Sequence, residues 1–255
     1  MKTQAISAAL AIIILVMAGC RGGGSGKEVS AANDTISVPD TGYTGIKQYT
    51  SGNRIIREVS FKNGVRHGLT KTFYPGGQVY QTFWYDNGLR QDSGRYYYVE
   101  GQLFRTTPYR NDTMNGIQKQ YYRTGQLKAR IGYDMGMRTP FLEEYNHRGL
   151  LIREYPEIVA AISDEYRTRG LYRITLELSD RDNRVKFNIG EFTDGRFDTA
   201  YIKPVNTTDG RAVINLKKSG QAGKDYLGII AEITTPFGNR NLVFKRIELP
   251  YNDLN

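Results

Sequence analysis

Side chains that could perform acid-base or nucleophilic chemistry are sparse in this chain. The two histidines, His67 and His147, fall in turn-like segments at unrelated positions. Glu143 and Glu144 are adjacent, so on a strand they would point to opposite faces and could not form the paired carboxylates of a glycosidase. The sequence has no G-x-S-x-G nucleophile motif. We therefore expect no catalytic residues, no enzyme activity and no cofactor.

Metal-ligating residues are equally few. Asp180, Asp182 and Asn183 could offer oxygen ligands to a calcium ion, although such clusters are more often turn formers. The one cysteine is Cys20, so a zinc site would need more histidines or carboxylates than the chain brings together. We expect no bound metal.

Cys20 has a different expected role, because it ends an export signal. Lys2 supplies a positive start, residues 8–17 are an apolar run, and small residues precede the cysteine. A run this short is typical of a signal peptide rather than a spanning helix. The arrangement resembles the signal of bacterial lipoproteins, which implies lipidation of Cys20 and a membrane anchor. Arg21, in place of Asp, implies sorting to the outer membrane of a Gram-negative cell, facing the periplasm or the cell surface.

The whole chain divides into four parts. Residues 1–20 are the signal peptide, and residues 21–44, rich in Gly, Ser and Asp, are predicted to be a flexible tether. Residues 45–155 hold a repeat, and residues 156–255 hold a second folded region, with Pro156 at the boundary. The mature chain has no cysteine left, but it is long enough to bury a core without disulfides.

Aromatic residues recur every twelve positions in the repeat region. Asn-Gly or similar pairs follow every second aromatic, and a glycine follows the others four residues later, so the full unit is 24 residues. Asn-Gly between alternating apolar segments is a strong hairpin signal. The pattern predicts an antiparallel meander of eight or nine short strands, with a bulge near residues 92–94 and an atypical last unit. The register aromatics are Tyr49, Phe61, Phe73, Tyr85, Tyr97, Tyr109, Tyr121, Tyr133 and Tyr145.

Three segments carry a resemblance to a known repeat. FKNGVRHGLTKTFYPGGQV, YDNGLRQDSGRYYYVEGQL and YRNDTMNGIQKQYYRTGQL share an aromatic, a turn, paired aromatics and a G-Q-apolar ending. They resemble the MORN-variant repeats of the YwqK family over residues 52–152. Many members of that family are described as antitoxins, so the resemblance implies an antitoxin-like protein that masks a partner protein.

A binding surface is expected on one face of this sheet. Because strand side chains alternate between faces, the register aromatics are predicted to share one face and form a structural stripe. The opposite face would then mix aromatic rings with cations, a composition typical of contact patches. The predicted ligand-binding residues are Tyr74, Tyr80, Trp84, Tyr96, Tyr98, Arg110, Tyr122, Lys128 and Arg130. Stiffening of a thin sheet by cross-strand tyrosine pairs is the alternative explanation.

The C-terminal region reads as a β-sandwich of immunoglobulin-like size. Six strands are predicted, separated by turn clusters, and a further element is predicted over residues 158–162. The predicted strands are Leu171–Leu178, Arg184–Ile189, Phe197–Lys203, Ala212–Leu216, Tyr226–Ile233 and Leu242–Leu249. The whole chain is therefore expected to be all-β.

Charge points to the kind of partner. Residues 45–155 carry 17 Lys and Arg against 9 Asp and Glu, a balance of +8 within a chain of net charge +9. A field of that sign attracts anions, although it can also serve solubility alone. The sequence therefore predicts a non-enzymatic envelope protein that binds or scaffolds an anionic glycan or a protein, and no nucleic acid.

Three short motifs resemble the D-[ST]-apolar pattern that Bacteroidetes-type bacteria O-glycosylate outside the cytoplasm. Each places a threonine after an aspartate. The candidate residues are Thr35, Thr113 and Thr199.

Overall fold

A single antiparallel sheet of ten strands forms from the repeat region, in a computed structural model that describes residues 41–255. Strands pair in chain order, except that β6 pairs with both the short β7 and with β8. The predicted hairpin meander and all-β class are confirmed. The strands are β1 (Gly45–Ser51), β2 (Arg54–Lys62), β3 (Val65–Phe73), β4 (Val79–Asp86), β5 (Leu89–Tyr97), β6 (Leu103–Arg110), β7 (Thr113–Met114), β8 (Gly116–Tyr121), β9 (Leu127–Asp134) and β10 (Met137–Glu144).

Two-residue turns close every second connection. Asn87 has φ 46° and Gly88 has φ 86°, so both turn residues lie in the left-handed region that Asn and Gly tolerate. The equivalent turn before β10 uses Met135, whose φ is 48°. The local chemistry of these pairs therefore selects a tight hairpin, as the sequence predicted.

Longer turns close the alternate connections with one repeated bonding pattern. The N–H of Tyr74 donates to the carbonyl of Gln78 at 2.8 Å, and the N–H of Gly77 donates back to Tyr74 at 2.9 Å. Tyr98 and Tyr122 make the same two bonds in their own turns, 24 and 48 residues later. The 24-residue sequence period is thus also the structural period.

The register aromatics do not share a face, so that prediction is wrong. A two-residue turn pairs Tyr85 with Arg90, five residues on. Paired residues share a face, so Arg90 lies on the face of Tyr85. Side chains alternate along β5, so Tyr96, six residues after Arg90, lies on that same face and Tyr97 lies on the opposite one. A bulge opposite Phe73 reverses the alternation again at the next strand. Successive register aromatics from Phe61 onward therefore alternate between faces.

The predicted irregularities are present. Asp92 has φ 58°, and the pairing of β4 with β5 slips between Thr82 and Trp84, which confirms the bulge near residues 92–94. In the last hairpin the pairing of β10 with β9 is interrupted between Arg138 and Leu142, around Pro140. Proline cannot donate a ladder hydrogen bond, which explains the break.

Two four-stranded sheets form the C-terminal region and face each other over a common core. Their strand orders are β11-β12-β16-β15 and β14-β13-β17-β18. Ile174 and Leu176 from one sheet meet Phe187 and Ile229 from the other, all fully buried. The elements are β11 (Ile158–Glu165), α1 (Tyr166–Arg169), β12 (Leu171–Leu178), β13 (Val185–Ile189), β14 (Lys203–Pro204), β15 (Thr207–Thr208), β16 (Arg211–Lys217), β17 (Tyr226–Thr234) and β18 (Arg240–Glu248).

One predicted strand is absent from this region. Residues 197–203 run as turns and irregular chain, and only Lys203 enters a strand. Phe197 is nevertheless buried against Ile230 and Leu242. The aromatic and apolar residues that suggested a strand thus serve as anchors that pin a loop onto β17 and β18.

The last repeat hairpin is bonded to the C-terminal sheets, and the two parts belong to one compact unit. Glu144 of β10 is fully buried, and its carboxylate accepts hydrogen bonds from Thr235 at 2.7 Å, Asn239 at 2.6 Å and Tyr155 at 3.2 Å. The N–H of Phe197 also donates to the carbonyl of Arg138 at 2.8 Å. These bonds hold the end of the array.

Candidate functional site

The two faces of the repeat sheet have different chemistry. We call the face that carries Phe83, Tyr85, Tyr96 and Tyr109 the tyrosine face, because these rings contact one another. We call the opposite face the basic face. Six of the nine predicted ligand-binding residues, the tyrosines and Lys128, lie on the tyrosine face; Trp84 and Arg130 lie on the basic face, and Arg110 is exposed at the end of β6.

Tyrosine hydroxyls on the tyrosine face form a ladder between repeats. Tyr74 donates to the carbonyl of Tyr97 at 2.7 Å, Tyr98 to that of Tyr121 at 2.9 Å, and Tyr122 to that of Tyr145 at 2.7 Å. Burial raises the pKa of all three phenols above their usual value. These three candidates therefore serve the structure of the array through their hydroxyls.

Rings on the tyrosine face are also engaged internally. Tyr80 packs edge-on between Tyr74 at 5.0 Å and Tyr96 at 6.1 Å, measured between ring centroids. Lys128 lies 6.0 Å from the ring of Tyr122. Burial raises the pKa of Tyr109 to about 12. The explanation that tyrosine pairs stiffen a thin sheet accounts for this face.

The guanidinium groups of arginines on the tyrosine face lie over these rings and are not directed toward a ligand. Arg105 is 4.1 Å from the centroid of Tyr96, and Arg90 is 4.5 Å from that of Tyr109. Arg90 also bonds Asp112 at 2.8 Å, which lowers the pKa of that carboxyl. Cation–π contacts of this kind stabilise the sheet, and they leave the charges partly compensated.

A row of charged side chains and threonines, with a glutamate at each end, crosses the basic face. Cross-strand pairing places its members directly opposite one another, one on each strand from β2 to β10 apart from the short β7. Directly opposed residues share a face, so their side chains form one line perpendicular to the strands. In order, this basic row is Glu58, Lys71, Thr82, Arg95, Thr106, Lys119, Arg130 and Glu143.

Charge compensation in the basic row is confined to its ends. Lys71 lies 3.5 Å from Glu58, and Arg130 lies 2.6 Å from Glu143, whose hydrogen bond raises the pKa of the Arg130 guanidinium. Arg95 and Lys119, in the middle, are exposed and make no ion pair or hydrogen bond through their side chains with any residue in 41–255. The centre of the row is therefore an uncompensated positive site.

Aromatic rings follow the basic row on one side. Phe73, Tyr97 and Tyr121 lie two residues beyond Lys71, Arg95 and Lys119 on the same strands, and each is partly exposed. At the β2–β3 end, a hollow of about 450 Å³ is lined in part by Glu58, Phe73 and Pro75. The arrangement can pair with anionic groups and contact flat apolar surfaces beside them.

Sequence reasoning missed the central cations, Arg95 and Lys119. The signal that could have found them is the spacing of Lys71, Arg95 and Lys119, which recur every 24 residues in step with the repeat. Assigning them to one face required the bulges, which only the strand pairing reveals.

The remaining candidates are placed as follows. Thr113 and Thr199 are exposed. Asp182 bonds the side chain and backbone of Arg184, and Asp180 accepts from the N–H of Asp182, so both carboxylates form a turn. Cys20 and Thr35 lie outside the described residues.

In residues 41–255 no helix is both long and apolar enough to span a bilayer. The same part of the chain has no group of three His, Cys, Asp or Glu side chains placed to hold a metal ion.

Comparison with known proteins adds no relative to this picture. No protein-family model, no curated protein and no solved structure matches the chain.

Proposed function

We propose that this protein is a non-enzymatic lipoprotein of the bacterial envelope that holds an anionic partner, a glycan or a protein, on its repeat sheet. The observation that supports this most directly is the pair of exposed, unpartnered cations Arg95 and Lys119 at the centre of the basic row. Such a site attracts anions and orients them along the row. The ring contacts and the hydroxyl ladder of the tyrosine face brace the sheet that carries the row.

Neutralising the central cations tests the binding role. We expect Arg95→Gln combined with Lys119→Gln to weaken binding of acidic ligands on a glycan array by about tenfold, because two charge-assisted contacts are lost. Wild-type binding should also weaken from low to high salt, since exposed charges are screened over about 10 Å at 0.1 M and about 3 Å at 1 M.

The matched control removes two charges elsewhere. Lys186 and Lys203 are exposed lysines of the C-terminal sheets, and Lys186→Gln with Lys203→Gln changes the net charge by the same amount. This control should bind as the wild type does. Equal loss in both double variants would reduce the effect to net charge and remove the basic row as the site.

The envelope location rests on the sequence features at residues 1–44. Cys20 would carry the lipid, and burial of its acyl chains would hold the protein on the outer membrane. We expect Cys20→Ser to move the protein from the membrane fraction to a soluble fraction of the cell, as measured by immunoblotting of fractionated cells. A soluble cytoplasmic product from the unaltered gene would contradict this location.

A protein partner, as in the antitoxin-like alternative, is favoured by one observation. Trp84 is 47% exposed and lies opposite Leu69, which is 37% exposed, on the basic face beside the row. Tryptophan is enriched among the residues that contribute most to protein–protein binding. Loss of partner capture on Trp84→Ala with retained glycan binding would favour this alternative.

A further inference from the structure

Three cations of the basic row, Lys71, Arg95 and Lys119, are spaced two strands apart, whereas Arg130 lies on the strand next to Lys119 and is paired with Glu143. Arg95 lies on β5 and Lys119 on β8, with β6 and its Thr106 between them. Neighbouring strands are about 4.8 Å apart, so the backbones at Arg95 and Lys119 are about 9 to 10 Å apart. Lys71 precedes Arg95 by the same interval, across Thr82. The row therefore presents a cation on every second strand from β3 to β8.

Neutral groups occupy the intervals between these cations. Thr106 has a partly exposed side chain in line with the charges, whereas Thr82, between Lys71 and Arg95, is buried. Tyr97 lies beside Arg95, and Tyr121 lies beside Lys119, each partly exposed two residues further along its strand. A ring next to a cation suits a unit that combines an apolar face with a carboxylate, as an acidic sugar does.

We propose, resting on the proposed function, that the basic row binds a linear acidic glycan whose carboxylates occur on alternate sugar rings and whose chain runs across the strands. A sugar ring in an extended chain is about as long as the distance between two strands. Carboxylates on alternate rings then meet Arg95 and Lys119, and the uncharged ring between them lies over Thr106. Tyr97 and Tyr121 contact the apolar faces of the charged rings.

Charge spacing separates this ligand from other polyanions. A nucleic-acid strand in a duplex carries one phosphate about every 3.4 Å, so most phosphates would meet no cation of the row. An extended acidic peptide presents carboxylates of one face about every 6.6 Å, which falls out of step with the cations after one interval. A carboxylate on every sugar ring would leave half of the anions opposite threonines.

The experiment compares oligomers of matched length by titration calorimetry, with the full chain in detergent micelles at low salt. The probes are a hyaluronan decasaccharide, with carboxylates on alternate rings, an oligogalacturonate, with a carboxylate on every ring, oligoglutamate, and uncharged dextran. We expect hyaluronan to bind about tenfold more tightly than the others. Arg95→Gln with Lys119→Gln should abolish the preference, whereas Lys186→Gln with Lys203→Gln should preserve it.

Tyr97→Leu tests the sugar contact separately, since it should weaken hyaluronan binding and leave oligoglutamate binding unchanged. Circular dichroism and thermal midpoints verify that each variant is folded. If oligogalacturonate or oligoglutamate binds as tightly as hyaluronan through Arg95 and Lys119, the glycan assignment is wrong and the proposed function stands. If no probe binds in a way that depends on these two cations, both are wrong. A hyaluronan preference that persists in the Arg95 and Lys119 variant also overturns the assignment.

Discussion

Some tyrosines of the repeat sheet form hydrogen bonds through their hydroxyls, and others contribute through ring contacts alone. The hydroxyls of Tyr74, Tyr98 and Tyr122 each bridge to the next repeat, whereas Tyr80 makes ring contacts and its hydroxyl has no hydrogen bond within residues 41–255. A hydroxyl that donates to a carbonyl one repeat away adds a bond that the backbone ladder cannot make. The ladder thereby links hairpins beyond nearest-neighbour strand pairing.

Tyr98→Phe is therefore expected to destabilise the protein by about 1 kcal/mol, because the carbonyl of Tyr121 loses its partner while the ring remains. Urea unfolding, followed by circular dichroism, measures the change. Tyr80→Phe is the matched control and should change the free energy of unfolding little. Equal effects of the two variants would show that the ladder contributes nothing specific.

In β5 of the array, two aromatic rings pack over a residue that has no side chain. Gly94 of β5 faces Phe83 and Tyr109, and a Cβ at Gly94 would lie 2.5 Å from Phe83 and 3.1 Å from Tyr109. The centroids of the two rings are 5.8 Å apart, and the missing side chain of Gly94 leaves the room in which the rings contact each other. The bulge at Asp92 delivers Gly94 to this position.

Gly94→Ala should consequently cost about 1 to 3 kcal/mol, because a methyl group is forced into a filled site. Adding Phe83→Leu, which frees space beside residue 94, should recover part of that loss. The thermal midpoints of the two single variants and the double variant give the coupling between the sites. Strictly additive losses would mean that the ring and the glycine do not compete for the same volume.

At the scale of the whole molecule, one buried carboxylate is a central contact between the array and the C-terminal sheets, beside the bonds of Arg138 to Phe197 and Arg240. Glu144 and Glu143 are neighbours on β10, yet Glu144 is buried with three hydrogen-bond donors, while Glu143 pairs with Arg130 on the opposite, partly exposed face. The two adjacent glutamates thus have separate roles: Glu144 bonds the C-terminal sheets, and Glu143 pairs with a cation of the basic row.

Removal of the buried member should uncouple the two parts. Glu144→Ala leaves Thr235, Asn239 and Tyr155 without their acceptor, and we expect a loss of about 3 kcal/mol and a second transition in thermal unfolding. Scanning calorimetry detects both effects. Glu143→Ala removes only a surface pair and should keep a single transition. A single transition in Glu144→Ala would contradict the coupling role.

The features of this fold that the sequence determined by itself are those that form through short-range interactions. Asn87-Gly88 needs only its own positive φ angles to make a hairpin, and the turn from Tyr74 to Gln78 closes with its own backbone bonds. Both are short-range, so their 24-residue recurrence was sufficient to predict the meander. The C-terminal strands with strict alternation, such as Leu171–Leu178, were predictable for the same reason.

Only the tertiary structure decided which residues form a surface together. One bulge reverses the face of every later side chain in a strand, and the sequence does not state where pairing slips. Trp84 and Arg130 were predicted to lie with Tyr96 and Tyr98 but are on the opposite face, because the two-residue turn pairs Trp84 with Gln91 and the pairing of β8 with β9 slips before Arg130. Arg95 and Lys119 instead lie in one row, with Thr106 between them. Likewise, nothing local to Glu144 indicates that Thr235 and Asn239, more than 90 residues away, supply its partners.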